Sequence, residues 1–335
     1  PQVRAAPALP SIAAWRQALD GERLLAFGGL GLSALLLLLS LSLFPSGPPN
    51  TAAWWLYGLS MILMLAALPA LDGRWSAARR RVRERPTVSF NIRSAAIWAA
   101  LAAILLLGLL VRLYNIDELP AGFWYDEAVN LITAARFQQD PGSIPVFIAA
   151  KSVLYFLPTA VLIGVLGQEP EALRIVTAAF SVAGIFALFL LVRLTLGNAP
   201  ALLAAFVLAT MRWDINFARI GMVPATMPLF TALAAYLTLR ALKTQRLSDF
   251  GYSGFVVGLG LWFYSGFQIF PIVIGAILLH HILLQRPDLR RFGLQIALMA
   301  VVGLAVVAPL AQFAVTDTGE FTARLRQTSI WSNRP

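Results

Sequence analysis

The feature that most constrains this chain is a series of apolar runs, most of them close to the ~20 residues that a helix needs to cross a bilayer. Hydrophobic residues make up 59% of the 335 and charged residues 13%, a composition with which a soluble chain would aggregate. We therefore predict an all-α integral membrane protein with about nine transmembrane helices. The predicted spans are about 24–44, 52–71, 95–114, 174–196, 199–218, 222–242, 250–265, 268–285 and 294–313.

The charge pattern also indicates a membrane protein. The formal net charge of +10 would suggest nucleic-acid binding in a soluble chain. Here the arginines lie in short loops between apolar runs, where basic residues orient membrane proteins and contact anionic headgroups. We therefore expect anionic phospholipids as partners and no nucleic acid. The chain has no cysteine, which excludes disulfides, thiolate metal sites and cysteine nucleophiles, and it shows no histidine-rich metal motif.

The loop after the second predicted span sets the orientation. Segment 74–93 carries seven arginines against Glu84, with Asp72 just before it. Short loops rich in arginine stay in the cytoplasm. The span 95–114 then leads out of the cytoplasm, and the chain from Asn115 onward lies outside.

A further apolar run, 152–167, is ambiguous. If it crossed the membrane, the later basic loops at Lys243 and Arg286 would face outward, against the same rule. We therefore predict an interfacial or re-entrant helix there. This leaves a first external loop, 115–173, and a second external segment, 314–335.

The predicted organisation has two parts within a multi-pass protein of the cell membrane. Residues 1–94 would form a two-helix membrane anchor with the basic cytoplasmic loop. Residues 95–335 would form a transmembrane core that carries both external segments. Because polar groups converge on the outer face, we expect the chemistry there.

An acidic pair stands out in the first external loop. Asp126 and Glu127 follow the aromatic residues Phe123, Trp124 and Tyr125. A carboxylate that aromatics partly shield from water is a stronger base. The alternative is that Asp126 is the N-cap of a helix that begins at Glu127, a position that aspartate favours. The two roles are compatible, and a second pair, Asp117 and Glu118, is expected in a solvated turn.

External cations are the other informative group. Arginine suits phosphate because its planar fork binds two oxygens at once. The alternative for each is snorkelling to the headgroups. Asp214, beside Arg212 at a span end, could form an ion pair inside the bundle. The external candidates are Lys151, Arg174, Arg219, Arg324 and Arg326.

Several of these motifs occur in an order that resembles the GT-C glycosyltransferases. The most similar branch contains the protein O-mannosyltransferases and the bacterial aminoarabinose transferases. The resemblance covers about residues 95–330, and the implied fold is a GT-C-like helical bundle. It is carried by Y-D-E-A around Asp126-Glu127, L-G-Q-E-P-E-A-L-R-I-V-T-A-A-F-S-V-A-G at 166–184, F-A-R-I-G-M at 217–222, and P-L-A-Q-F-A-V…F-T-A-R-L-R-Q-T-S-I at 309–330.

The resemblance implies transfer of a hexose or pentose from a polyprenyl phosphate to an acceptor at the outer face, with inversion. By this analogy Asp126 is the general base, and Glu127 supports it or contacts the acceptor. The departing lipid phosphate would be neutralised by Arg174, Arg219, Arg324 and Lys151. The only cofactor-like molecule implied is the lipid-linked donor, and a divalent metal stays open.

Two departures from the family pattern support a second hypothesis. Lys151 lies where the family commonly has an acid or histidine, and G-M-V-P-A-T after Arg219 contains no acid. The alternative is a catalytically inactive subunit of this fold, which would have partner subunits in a larger membrane complex.

The predicted sidedness is testable with single cysteines, since the chain has none. We expect Ala121→Cys, close to Asp126, to react with a membrane-impermeant maleimide in intact cells. Arg80→Cys should react only after the membrane is opened. Labelling of both from one side would contradict the predicted outer-face site.

Overall fold

Long runs of Leu, Ala and Ile form helices here because a segment in hydrocarbon must satisfy its own backbone polar groups. The computed structural model describes residues 21–46, 50–73, 92–148, 151–319 and 321–322. The helices are α1 (Gly21–Leu43), α2 (Thr51–Ala67), α3 (Ile92–Leu113), α4 (Tyr125–Gln139), α5 (Phe156–Leu166), α6 (Pro170–Leu196), α7 (Asn198–Thr210), α8 (Arg212–Arg219), α9 (Met227–Thr244), α10 (Leu247–Phe263), α11 (Phe270–Gln285) and α12 (Leu289–Thr316).

Short elements join these helices. Two-residue strands, β1 (Phe147–Ile148) and β2 (Lys151–Ser152), pair as an antiparallel hairpin. Apart from this short hairpin, the described residues form a helical bundle, which confirms the predicted all-α class. The 3-10 turns are Phe44–Ser46, Leu68–Asp72, Pro141–Ser143, Val153–Tyr155, Val223–Thr226 and Ser265–Ile269.

The count of nine spans is not confirmed. In the described ranges, seven helices are long and apolar enough to cross a membrane, or eight if the bent pair α7–α8 counts as one span. Three of the seven include an adjoining 3-10 turn: Thr51–Asp72, Val223–Thr244 and Ser265–Gln285. The predicted span 250–265 corresponds to α10, which has 17 residues and is not among the seven. Helix α5 has 11 residues and is about 16 Å long, roughly half the hydrocarbon thickness. That length agrees with the prediction that the run 152–167 does not cross.

The two ends of the bundle carry different parts of the chain. Helix α6 has 27 residues and is about 40 Å long. Near its N-terminus, Arg174 donates hydrogen bonds to backbone carbonyls of the loop before Asp126. At its other end the Leu194 carbonyl accepts from Lys243, close to where Ser248 donates its backbone N–H to Asp72. Asp72, which precedes the basic loop, therefore lies at the end opposite Asp126, as the sequence predicted. That this end is cytoplasmic stays a prediction.

The N-terminal helices pack on the rest of the chain. The Tyr57 hydroxyl donates to the Val306 carbonyl of α12 at 2.6 Å. The Asn50 side-chain amide donates to the Ile144 carbonyl at 2.5 Å, and this carbonyl belongs to the segment predicted to be the first external loop. Helix α2 and Asn50, the residue before it, thus contact both the core and the segment that follows α4. The division into 1–94 and 95–335 stays a prediction.

Glycines allow α10 and α12 to touch along their backbones. A Cβ on Gly254 would lie 2.0 Å from the Met299 carbonyl oxygen, and one on Gly258 would lie 2.5 Å from that of Gly303. Small residues four apart are a common way for membrane helices to approach closely.

We expect Gly254→Ala to destabilise the bundle by about 1–3 kcal/mol or more, because the added methyl must push the two helices apart. The matched control is Gly275→Ala in α11, where a Cβ meets nothing within 4 Å. Thermal unfolding in detergent, followed by size-exclusion chromatography, measures both. Equal stability of the two variants would contradict this account.

Candidate active site

The acidic pair lies at the start of α4. The helix begins at Tyr125, and Trp124 is in the N-cap position with extended backbone. Asp126 is therefore inside the first turn, and the alternative that it caps a helix beginning at Glu127 is wrong. Glu127 accepts a hydrogen bond from the Trp124 backbone N–H at 3.3 Å. The third helical residue thus satisfies the backbone N–H of the N-cap residue, as the glutamate of a capping box does.

Glu127 and Arg174 form a buried ion pair. Glu127 is 0% exposed and Arg174 is 1% exposed. Nε of Arg174 lies 2.5 Å from Oε1 of Glu127, and Nη2 donates to Oε2 at 3.2 Å. The same guanidinium donates to the carbonyls of Ile116 at 2.6 Å and Gly122 at 3.3 Å. One side chain therefore fixes α4 and the preceding loop to the start of α6.

The two neighbouring acids differ in accessibility. Asp126 is partly exposed, whereas Glu127 is enclosed, because successive helical residues point about 100° apart. The aromatic residues before them do not pack inward: Phe123, Trp124 and Tyr125 are 56%, 59% and 81% exposed. The expected shielding by aromatics is therefore not seen in the protein itself. At a membrane surface such rings lie at headgroup level.

Arg219 holds the other side of the same loop. Its guanidinium donates to the carbonyls of Val111 and Arg112 at the end of α3, at 3.0 and 3.4 Å. It also donates to Asn115 at 3.2 Å and Leu119 at 2.8 Å. A cation is favourable at a helix C-terminus. Carbonyl dipoles do not cancel a full charge, and in the described ranges no carboxylate pairs with Arg219.

The turn after Arg219 is hydrogen-bonded to α4 and to the segment before α5. The Gly221 carbonyl accepts from the Asn130 side chain at 3.0 Å and from the Tyr155 hydroxyl at 2.8 Å. Gly221 has φ +59°, and a Cβ there would lie 2.5 Å from Leu173. Burial raises the pKa of the Tyr155 phenol well above its ordinary value, so the hydroxyl stays protonated and donates. Asn130 and Tyr155 were not among the residues predicted from the sequence. The available signal was Gly221, since a glycine two residues after Arg219 indicates a tight turn whose backbone needs partners.

A second buried ion pair lies beside the site. Arg112 is 0% exposed, and its Nη2 lies 2.6 Å from Oδ2 of Asp214. Ser181 accepts from Nε of Arg112 at 2.7 Å and donates to Asp214. The sequence predicted an ion pair inside the bundle for Asp214, but Arg212, its expected partner, is exposed. The partner comes from α3, about a hundred residues earlier, which spacing could not show.

The remaining predicted residues fall elsewhere. Lys151 begins β2, where its backbone pairs with Ile148. Arg324 and Arg326 lie outside the described residues. Asp117 and Glu118 are exposed in the loop, as predicted.

A comparison with protein families decides the class. The family model described as dolichyl-phosphate-mannose-protein mannosyltransferase matches residues 150–313. This match, over slightly less than half of the chain, supports a GT-C glycosyltransferase. Together with the apolar helices, it supports a multi-pass membrane glycosyltransferase, and the matched family is one named for a polyprenyl-phosphate sugar donor. No curated protein and no solved structure matches it. The matched segment of this GT-C glycosyltransferase includes Arg174 and Arg219, whereas Asp126 and Glu127 precede it and Arg324 follows it.

Breaking the buried pair should unfold this region. We expect Glu127→Ala to cost about 3–5 kcal/mol, because Arg174 is left charged and unpaired in an enclosed site. The double variant Glu127→Ala/Arg174→Met should be more stable than Glu127→Ala alone. Thermal unfolding in detergent measures the double-mutant cycle formed by these two substitutions. Glu118→Ala is the control for loss of an exposed acid. Full additivity of the two changes would argue against a direct interaction.

Proposed function

We propose that this glycosyltransferase moves a sugar from a polyprenyl phosphate to a hydroxyl-bearing acceptor at the extracytoplasmic face of the cell membrane, with inversion at the anomeric carbon. The observation that carries the proposal is the arrangement around one loop. A partly exposed carboxylate, Asp126, follows a loop that Arg219 holds on one side and the Glu127–Arg174 pair holds on the other.

The proposed reaction is a single displacement. The acceptor oxygen attacks the anomeric carbon while Asp126 takes its proton. The bond between the anomeric carbon and the phosphate oxygen breaks, and the electron pair leaves with the polyprenyl phosphate. Attack opposite the leaving group inverts the configuration. General-base assistance of this kind typically contributes about 10²–10⁴-fold.

The leaving phosphate gains negative charge, which a fixed cation stabilises. Arg219 is the best-placed candidate, because its partners are carbonyl oxygens and its charge stays available at the edge of the bundle. A contact of this kind is worth about 3–4 kcal/mol when it forms mainly in the transition state. Lys151 and Arg324 remain proposed phosphate contacts on the strength of the family resemblance.

Two roles are open to Glu127: to support Asp126, or to contact the acceptor. Because Glu127 is buried, we favour the supporting role. Arg174 makes four hydrogen bonds to protein oxygens, which leaves little of its fork for a phosphate. Its contribution would then be mainly to hold the loop, with the positive charge acting at a distance. The proposed outer location rests on two observations: the sequence after Asp72 is rich in arginine, and Asp72 itself lies at the end of the bundle opposite Asp126.

The central test is Asp126→Asn, which removes the base and keeps nearly the same side-chain shape. We expect sugar transfer from polyprenyl-phosphate donor in membranes to fall at least about 100-fold. Asp117→Asn, an exposed acid in the same loop, is the matched control and should retain activity. The assay is run with and without a chelator, because metal dependence stays open. The anomeric configuration of the product tests inversion.

Two outcomes would contradict the proposal. Undiminished transfer by Asp126→Asn would remove this carboxylate from the mechanism. A wild-type protein that transfers no sugar, purifies with a stoichiometric partner and carries no polyprenyl lipid would instead support the inactive-subunit alternative.

A further inference from the structure

The fifth apolar run, predicted as one helix over 199–218, is broken. Helices α7 and α8 meet at Met211 with a bend of 50°. Met211 has extended backbone geometry, and no proline lies at the break. A break in an apolar medium leaves helix-end carbonyls without partners, at several kcal/mol each. Something must therefore stabilise this bend.

Arg112 supplies that stabilisation from α3. Its guanidinium donates to the carbonyls of Ala209 at 3.0 Å and Leu208 at 3.4 Å, both in the last turn of α7. The same group pairs with Asp214 in the first turn of α8. One buried cation thus satisfies the end of one half-helix and binds the start of the next. Without Asp214, its charge would be uncompensated in an enclosed site.

Helix α8 links this clamp to the candidate site. Arg219, its last residue, reaches back to the carbonyl of Arg112 itself and forward to Leu119 in the loop before Asp126. The eight-residue helix is therefore attached at both ends to the last turn of α3. A change in its direction would move Arg219 relative to the acidic segment.

We propose that Arg112 and Asp214 are a positioning pair: they set the direction of α8 and so place the Arg219 guanidinium beside the loop that carries Asp126. Ser181, bonded to both, completes the clamp. The pair touches no reacting atom and acts through Arg219. Only the kinetic consequence rests on the proposed function, since the geometric one can be measured without any substrate.

The geometric test uses the cysteine-free chain. Spin labels at Asn216→Cys in α8 and Gln138→Cys in α4, both exposed, report the distance between these helices. We expect Asp214→Asn to broaden or shift the distance distribution and Asp214→Glu to restore much of it. If Asp214→Asn does not fold, Ser181→Ala, which keeps the ion pair, should still broaden the distribution.

The matched control is Asp249→Asn. Asp249 is also 0% exposed and is paired with an arginine, Arg240, at 3.4 Å, but it lies at the opposite end of the bundle. We expect it to lower stability without changing the α8–α4 distance. An unchanged distance in Asp214→Asn, or an equal change in Asp249→Asn, would overturn the proposal.

The kinetic test follows in the transfer assay. Asp214→Asn should lower kcat/KM for the polyprenyl-phosphate donor at least about tenfold, mainly through kcat, since the Arg219 contact is proposed to form mainly in the transition state and misplacing a positioned group by ~1 Å can cost about 10²-fold. Its effect should largely vanish in an Arg219→Gln background. Additive effects would show that Asp214 does not act through Arg219. If the wild type transfers no sugar, the proposed function fails while the distance measurement still decides the positioning role.

Discussion

The buried ion pair between Glu127 and Arg174 is the interaction on which the candidate site depends. Desolvating both charges is costly, and the pair is tolerable only because each oxygen and most of the N–H groups find partners. Those partners are the Trp124 N–H and the carbonyls of Ile116 and Gly122. The consequence is a loop held in one arrangement against the start of α6, with Asp126 left at its edge.

A common device recurs around this site: an arginine satisfies backbone carbonyls at or near a helix end. Arg112 does so for α7, Arg219 for α3, and Arg174 for the loop after α3. Hydrocarbon offers no water for such groups, so long side chains with five donors are well suited to them. Two of these arginines also have a carboxylate partner in the described residues, and Arg219 does not. This difference among the three arginines is the reason that we propose Arg219 for the contact with a substrate phosphate.

The N-terminal helices contribute more than attachment to the bilayer. Tyr57 and Trp262 both donate to the Val306 carbonyl, which joins α2 and α10 to α12. Trp54 and Asn50 both donate to Ile144, in the segment that follows α4. Helix α2 therefore helps to hold the segment that follows α4, although its sequence is only an apolar run.

The sequence by itself determined the membrane class, most of the spans, the short helix within the predicted first external loop and the opposite placement of Asp72 and Asp126. Each of these depends on local hydrophobic length or on the distribution of charge along the chain. Only the tertiary structure decided which arginine meets which carboxylate. Glu127 with Arg174 and Asp214 with Arg112 are 47 and 102 residues apart, and a pairing at such distance follows from helix packing. The break at Met211 is also a feature that only the tertiary structure decided. The apolar sequence around it predicts one continuous helix, and the group that stabilises the break, Arg112, comes from another helix.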